Sequence, residues 1–413
     1  MSGDIEARRA IEALRAGVPN DAAVRALETT ETGIGNRFRA ALDAASAYGN
    51  LSTTRGMLVS GGFGAGKSHL LGHLRLQALA KNFVVSTVSI SKETPLYDLR
   101  KVYAAAVRGA SVAQTNDDIM RAVFGRIKAG DELFSRLESW ASSVPSFVPP
   151  VFAAILYLLS KSTTGPDLIR RFERFLSGSK LSKSAIRQAL RDGGAKNLFD
   201  LRYSESAIGP DLLAFAPRLM RAAGYRGWCI LFDEIELIGR YSALQRGKAY
   251  SELARWLGLD GATAVEGVVT VAAITDDFAT QVIIDKRDDQ LIEAKLANKG
   301  LAMEATRAVA AISAIRSDAI ELRPPGTAEL SRDLDQVRHL YASAYEWSPP
   351  QLEIGSREAS KSMRSYIRSW ITQWDILRLY GEEASVETEQ LSTSYVEAPE
   401  LEELSPESDV EDG

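Results

Sequence analysis

The sequence predicts an α/β fold with a parallel sheet core, a large inserted helical module and a helical C-terminal region. Three observations carry this. Short apolar runs at 55–60, 84–90, 228–232, 268–274 and 319–322 are separated by longer stretches, the pattern of strands joined by crossovers. The first two runs enclose a glycine-rich turn and a helical stretch over 67–80, which together make a βαβ unit. Between the second and third runs, residues 112–222 repeat helical periodicity with no clear strand.

Taken in order, residues 5–28 space Ala10, Ile11, Leu14, Val18, Val24 and Leu27 along one apolar face, and the stretch from Gly17 to Asn20 breaks them into two short helices. A further helix over 33–48 is expected to stop at Gly49-Asn50. Pro95 is expected near the start of a helix that runs to Val107. Asn116 is the expected cap of a helix carrying Ile119, Val123 and Ile127. Helical patterns follow over 131–142, 150–160, 166–177, 182–191, 210–223 and 327–381. The expected division is an N-terminal helical segment 1–50, a nucleotide-binding core 51–111 with 223–325, the inserted module 112–222, a C-terminal helical region 326–381, and an acidic, disordered tail 382–413.

With 413 residues, 45% hydrophobic and 25% charged, the chain has globular proportions. Its most apolar run, Val148–Leu159, is shorter than the roughly 20 residues of a membrane span and reads as a buried helix. The single cysteine, Cys229, sits in an apolar run and suits a core thiol in a reducing compartment, so the cytoplasm is the expected location. Three histidines argue against a structural zinc site. The net charge of −5 is unevenly placed: twelve acidic residues and no Lys or Arg lie between Glu382 and Asp412, leaving 49 basic against 42 acidic residues, about +7, in the rest. That balance admits a nucleic-acid partner without identifying one.

Chemistry concentrates in Gly61-Gly62-Phe63-Gly64-Ala65-Gly66-Lys67-Ser68, a full Walker A pattern between a predicted strand and a predicted helix. Glycines let backbone N–H groups turn inward around phosphate, and the following helix presents its positive end to the same anion. Lys67 is expected on the β- and γ-phosphates and Ser68 on Mg2+. The run Cys229–Phe232 delivers Asp233 and Glu234 at the C-terminal end of a buried strand, Asp233 toward Mg2+ and Glu234 toward the attacking water. Glu236 reads either as a surface residue or as a supporting partner. Thr275, ending the run 268–274, is expected to contact the water or γ-phosphate, with a strand-end turn cap as the competing reading for Thr275-Asp276-Asp277. His69 and His73 lack the intervening glutamate of a zinc-protease helix and read as packing or surface residues, His69 adjoining the phosphate loop. The Arg- and Trp-rich stretch 364–375 spaces Ile367, Trp370, Ile371 and Trp374 as a packed helix better than as a base-stacking surface.

Longer blocks extend these motifs: Ala7–Asn20, Gly66–Leu71, Ser91–Asp98, Asp233–Leu237, Tyr366–Ile371 and Trp374–Tyr380. Over roughly residues 5–381 the chain resembles the P-loop ATP-binding family of bacterial BREX phage-defence systems. The resemblance implies an AAA+-like or related STAND-type ATPase that uses ATP and Mg2+, partners drawn from a defence complex, DNA association and self-assembly. It matches Thr275 to a sensor position. Relatives tend to place an arginine in a short helix after that strand; here the comparable place reads Ile292–Leu296, and Arg287 lies nearby, with Arg316 and Lys295 as further cations. The expected function is ATP hydrolysis. The alternative is a nucleotide-dependent DNA- or protein-binding regulator with little turnover.

Overall fold

Six strands form one sheet, in the order β3-β2-β4-β5-β1-β6. They are β1 (Met57–Ser60), β2 (Val84–Ser89), β3 (Ala110–Ser111), β4 (Trp228–Asp233), β5 (Val268–Ile274) and β6 (Ile320–Glu321). The computed structural model describes residues 2–18, 20–27, 32–47, 56–113, 118–161, 164–205, 207–259, 264–323, 326–353, 362–383 and 394–401. Five strands run parallel, with Met57 opposite Val271, Trp228 opposite Val268 and Val84 opposite Trp228. The expected parallel core is present, and one edge strand is added to it. β3 pairs antiparallel with β2 and forms an edge two residues long, too short to leave a periodic signature in sequence.

The chain order of helices is α1 (Ser2–Ala16), α2 (Asp21–Ala26), α3 (Thr32–Ser46), α4 (Lys67–Ala80), α5 (Leu99–Arg108), α6 (Ile119–Arg126), α7 (Glu132–Ala141) and α8 (Pro150–Leu159). Then come α9 (Pro166–Leu176), α10 (Lys183–Asp192), α11 (Gly209–Ala222), α12 (Ala243–Trp256), α13 (Asp288–Ala297), α14 (Ala302–Ser317), α15 (Thr327–Tyr345) and α16 (Met363–Tyr380). Local chemistry sets several starts. Asn20 caps α2 by accepting from Ala23 N–H, and Asp98 caps α5 by accepting from Lys101 N–H, so α5 begins four residues after Pro95. Asp118 caps α6 through Met120 and Arg121 N–H, the role expected of Asn116, which lies outside the described residues together with Gly49-Asn50.

β4 and β5 are buried along nearly their whole length, as expected of central parallel strands. One sheet face packs Val59, Leu231, Val271 and Phe83 against α3 and α4. The opposite face is continuous with the apolar residues of α6–α11, so the helices of 112–222 share the core of the sheet. One buried polar chain crosses it: Trp228 Nε1 donates to Ser86 Oγ at 2.8 Å, and Ser86 Oγ donates to the Ala106 carbonyl at 2.6 Å. Cys229 is fully buried, which raises its thiol pKa strongly and keeps it protonated.

A third core joins the two ends of the chain. Ile11 and Leu14 of α1, and Leu27 beyond α2, pack with Leu334 and Tyr341 of α15 and Ile367, Trp370 and Trp374 of α16. Thus the segment read as one N-terminal unit divides, α1 and α2 joining the C-terminal helices and α3 joining the sheet. The tail expectation also needs correction for residues 394–401. Tyr395 and Ala398 are buried against the body, because an aromatic ring and short apolar residues here outweigh the surrounding charge. Among the described residues no helix is long and apolar enough to cross a membrane; the apolar run 148–159 forms α8, buried in the core.

Candidate functional site

β5 lies between β1 and β4, so their C-terminal ends open onto one crevice. β1 delivers the glycine loop, and Gly61 N–H donates to the Ile274 carbonyl at 3.1 Å, tying the loop to β5. Gly64 (φ 76°) and Gly66 (φ 101°) take left-handed conformations that an L side chain rarely adopts, and Gly66 starts α4. Lys67 is 7% exposed and donates to the Gly61 and Gly62 carbonyls at 2.7 and 3.1 Å. Ser68 Oγ donates to Asp233 Oδ2 at 2.6 Å. Glu234 follows in a left-handed conformation (φ 60°) that is costly for a side chain of its size, and is exposed at the crevice. Partial desolvation at the cleft wall raises its carboxyl pKa, with Asp233 adding to the effect and Arg364 opposing it.

These residues border a cleft of about 240 Å³ with two unlike ends. One end is the loop with Lys67, Ser68, Asp233 and Glu234; the other is apolar, made by Leu14, Leu27, Met363 and Ile367 from the helices that join the chain ends. Asp333 of α15 also faces the cleft, and burial raises its carboxyl to about 6. α16 sits on the loop itself. Its capping Ser362 would meet a Cβ on Gly64 at 2.6 Å, Arg364 N–H donates to the Gly64 carbonyl at 3.3 Å, and the Arg364 guanidinium lies 5.0 Å from the Phe63 ring centroid.

Glu236 is the residue whose environment the sequence left open. It lines the cleft, one of its carboxylate oxygens is buried without a hydrogen-bond partner, and burial raises its pKa to about 7 against the pull of Lys67. His69 also lines the cleft; burial and then His73 lower its pKa to about 4, and both imidazoles lie within hydrogen-bond reach of the Leu27 carbonyl, so His69 is a neutral packing residue.

Two expected residues lie elsewhere. Thr275 is 3% exposed and hydrogen-bonded to the Tyr395 hydroxyl, and it does not line the cleft; its neighbour Asp276 comes nearer, 3.5 Å from where a Cβ on Gly62 would stand. Arg287 is exposed at the left-handed N-cap of α13, where it bonds Gln290. Its acidic neighbours bond other arginines, Asp288 with Arg246 and Asp289 with Arg316. The arginines that do face the cleft are Arg323 and Arg364. Local sequence gave Arg364 no link to the glycine loop, which it reaches through the packing of α16 from about 300 residues away.

The topology, the glycine loop and the flanking helices are those of a P-loop NTPase of AAA+-like architecture. Neither the curated proteins nor the solved structures give a match to the chain. Residues 4–190 and 206–374 match the family described as BREX system ATP-binding protein BrxC/D, and since that span takes in most of the sequence, the chain belongs to this family.

Proposed function

We propose that this protein binds ATP with Mg2+ in the cleft and hydrolyses it, serving as an energy-coupling or switch component of a cytoplasmic bacterial defence complex that acts on DNA. One observation carries the reading: a lysine and a hydroxyl from the start of α4 and two carboxylates from the end of β4 converge on a glycine loop at a helix N-terminus. Phosphates fit this end, since Gly64 and Gly66 take left-handed conformations and α4 presents its N-terminus there. Lys67, now bonded to loop carbonyls, would exchange them for phosphate oxygens. The Ser68 and Asp233 oxygens suit Mg2+, which would take its remaining ligands from phosphate and water; among the described residues no cluster of three or more acidic, His or Cys side chains holds a metal unaided. When bound, the ion neutralises charge on the transferring group.

Glu234 would accept the proton of the attacking water, and its raised pKa brings it closer to the operating pH of a base. The apolar end suits a nucleobase, with Asp333 as a polar partner for base or ribose. Membership of a family of BREX ATP-binding proteins supports defence proteins and DNA as partners, and exposed Arg287 is available to complete a neighbouring copy's site. The test is ATP turnover measured with and without DNA, with capture of partner proteins in parallel. Absence of Mg-dependent ATP binding would overturn the reading; binding without turnover under every condition would favour a nucleotide-dependent switch.

A further inference from the structure

Residues 394–401 lie in a groove formed by the segment after β4, the start of α12 and the segment after β5. Tyr395 is 6% exposed, its ring standing edge-on to Phe278 at 5.8 Å between centroids. A Cβ on Gly239 would fall 2.7 Å from that ring, so the groove is shaped for it. The Lys286 ammonium bonds the Tyr395 and Gly239 carbonyls, and Ala398 N–H donates to the Arg240 carbonyl at 2.9 Å. Charge matches as well: Glu397 pairs with Arg246 at 2.9 Å and Glu400 with Arg240 at 3.7 Å. A buried aromatic anchor, a backbone hydrogen bond and two ion pairs make a built peptide site.

The anchor ends on Thr275. The Tyr395 hydroxyl donates its single proton to Asp277 Oδ1 at 2.8 Å. The bond between the two hydroxyls must then be donated by Thr275, whose only proton is thereby committed. Thr275 ends β5, the strand between the two that carry the phosphate loop and the acidic pair. A threonine held this way has no proton for a phosphate oxygen.

We propose that residues 394–401 form an inhibitory strap, an acidic tyrosine peptide whose hydroxyl withholds Thr275 from nucleotide, and that the groove is a regulatory site released when the strap leaves. The proposal rests on the ATPase reading of the cleft and adds to it a means of control. Strap release frees the Thr275 hydroxyl to rotate toward the crevice, and turnover rises.

The experiment uses the full-length protein and Tyr395→Phe, which keeps the ring and removes the hydroxyl. Tyr395→Phe is expected to raise kcat about three- to tenfold, the range of one hydrogen bond. In a Thr275→Ala background the same change is expected to have no effect, which separates release of Thr275 from loosening of the fold. As a readout independent of turnover, hydrogen exchange at 394–401 is expected to quicken on addition of Mg-ATP and of salt, which weakens the two ion pairs. In a chain lacking 394–413, the synthetic peptide Ser-Tyr-Val-Glu-Ala-Pro-Glu-Leu is expected to restore inhibition, and its Phe counterpart to fail. Wild-type turnover in Tyr395→Phe, with exchange at 394–401 indifferent to nucleotide in a protein shown by titration to bind ATP, would overturn the strap and leave the nucleotide site standing. No binding of ATP in the titration would remove both.

Discussion

Ser68 Oγ and Asp233 Oδ2 are hydrogen-bonded at 2.6 Å although 165 residues separate them in sequence. The bond fixes the hydroxyl of the phosphate loop against the carboxylate at the end of β4, a pair of hard oxygen donors held before any ion arrives. Asp233→Asn keeps the shape and weakens the ionic member. It is expected to lower the Mg2+ dependence of ATP binding, with Mg2+ affinity down about 10- to 100-fold while metal-free nucleotide binding changes little. Calorimetric titration with and without Mg2+ checks this.

Lys67→Ala addresses the phosphates themselves. An ammonium about 4 Å from a phosphate charge contributes roughly 4 kcal/mol in partly solvated surroundings, so affinity for ATP should fall at least about 100-fold. The fold should survive, because the ammonium's partners are two carbonyls of the glycine loop rather than a buried acid. Equal affinity of variant and wild type would place the triphosphate elsewhere.

The residues of this part of the cleft were legible because they are contiguous. A glycine loop and an acid pair each announce themselves within eight residues, and their strand context follows from β-branched runs. Residues of the opposite end were not. Leu14, Leu27, Met363 and Ile367 carry ordinary apolar side chains, and their meeting over the loop depends on how α1, α15 and α16 pack. The two-residue β3 and the Tyr395 anchor fail for a related reason: two residues show no period, and one tyrosine among many carboxylates is outweighed by composition. α14 left no one-sided pattern in the sequence because it buries Ala305, Ala308, Ala311 and Ile315 around much of its circumference, which blurs the signature that marks a surface helix.

Glu236 gives a pH prediction. Burial raises its carboxyl from 4.5 to about 7, with Asp233 and Glu234 adding and Lys67 opposing. A carboxyl with a raised folded-state pKa favours the folded state while protonated, so this contribution is complete below about pH 4.5 and is lost as pH rises through 7. The loss is on the order of 3 kcal/mol. Glu236→Gln, which stays neutral, should be more stable than wild type at pH 8 and near it at pH 4.5. Urea denaturation of the nucleotide-free protein at both pH values measures the difference, and an equal gap at the two would count against a raised Glu236.

Asp288 tests the support beneath the strand ends. It accepts two bonds from Arg246 at 2.8 Å each and one from the Tyr250 hydroxyl at 2.8 Å, and Arg246 and Asp288 are both nearly inaccessible. Asp288→Ala leaves a buried guanidinium with Glu397 and the Tyr241 carbonyl as its remaining partners. A loss of about 3–5 kcal/mol of stability is expected, read as a shift of the urea midpoint. Replacing both partners with apolar residues should cost less than Asp288→Ala alone.

The last prediction separates two arginines by where they act. Arg364 faces the cleft of its own chain, over the Phe63 ring and close enough to Glu234 to oppose its raised pKa. Arg287 stands exposed outside that cleft, with Gln290 as its partner. A cation that stabilises charge on the transferring phosphoryl group must reach it, so Arg364 can serve in a lone protomer and Arg287 only across an interface. Arg364→Ala should therefore lower turnover at every protein concentration, by about 10- to 100-fold, and Arg364→Lys should recover little, since a lysine lacks the planar fork. Arg287→Ala should match wild type in dilute protein and fall behind as concentration rises or partners are added. Turnover per protomer across a wide concentration range decides between them: a rate independent of concentration in wild type, with Arg287→Ala unchanged throughout, would exclude a shared arginine and leave those of the chain's own cleft, Arg323 and Arg364.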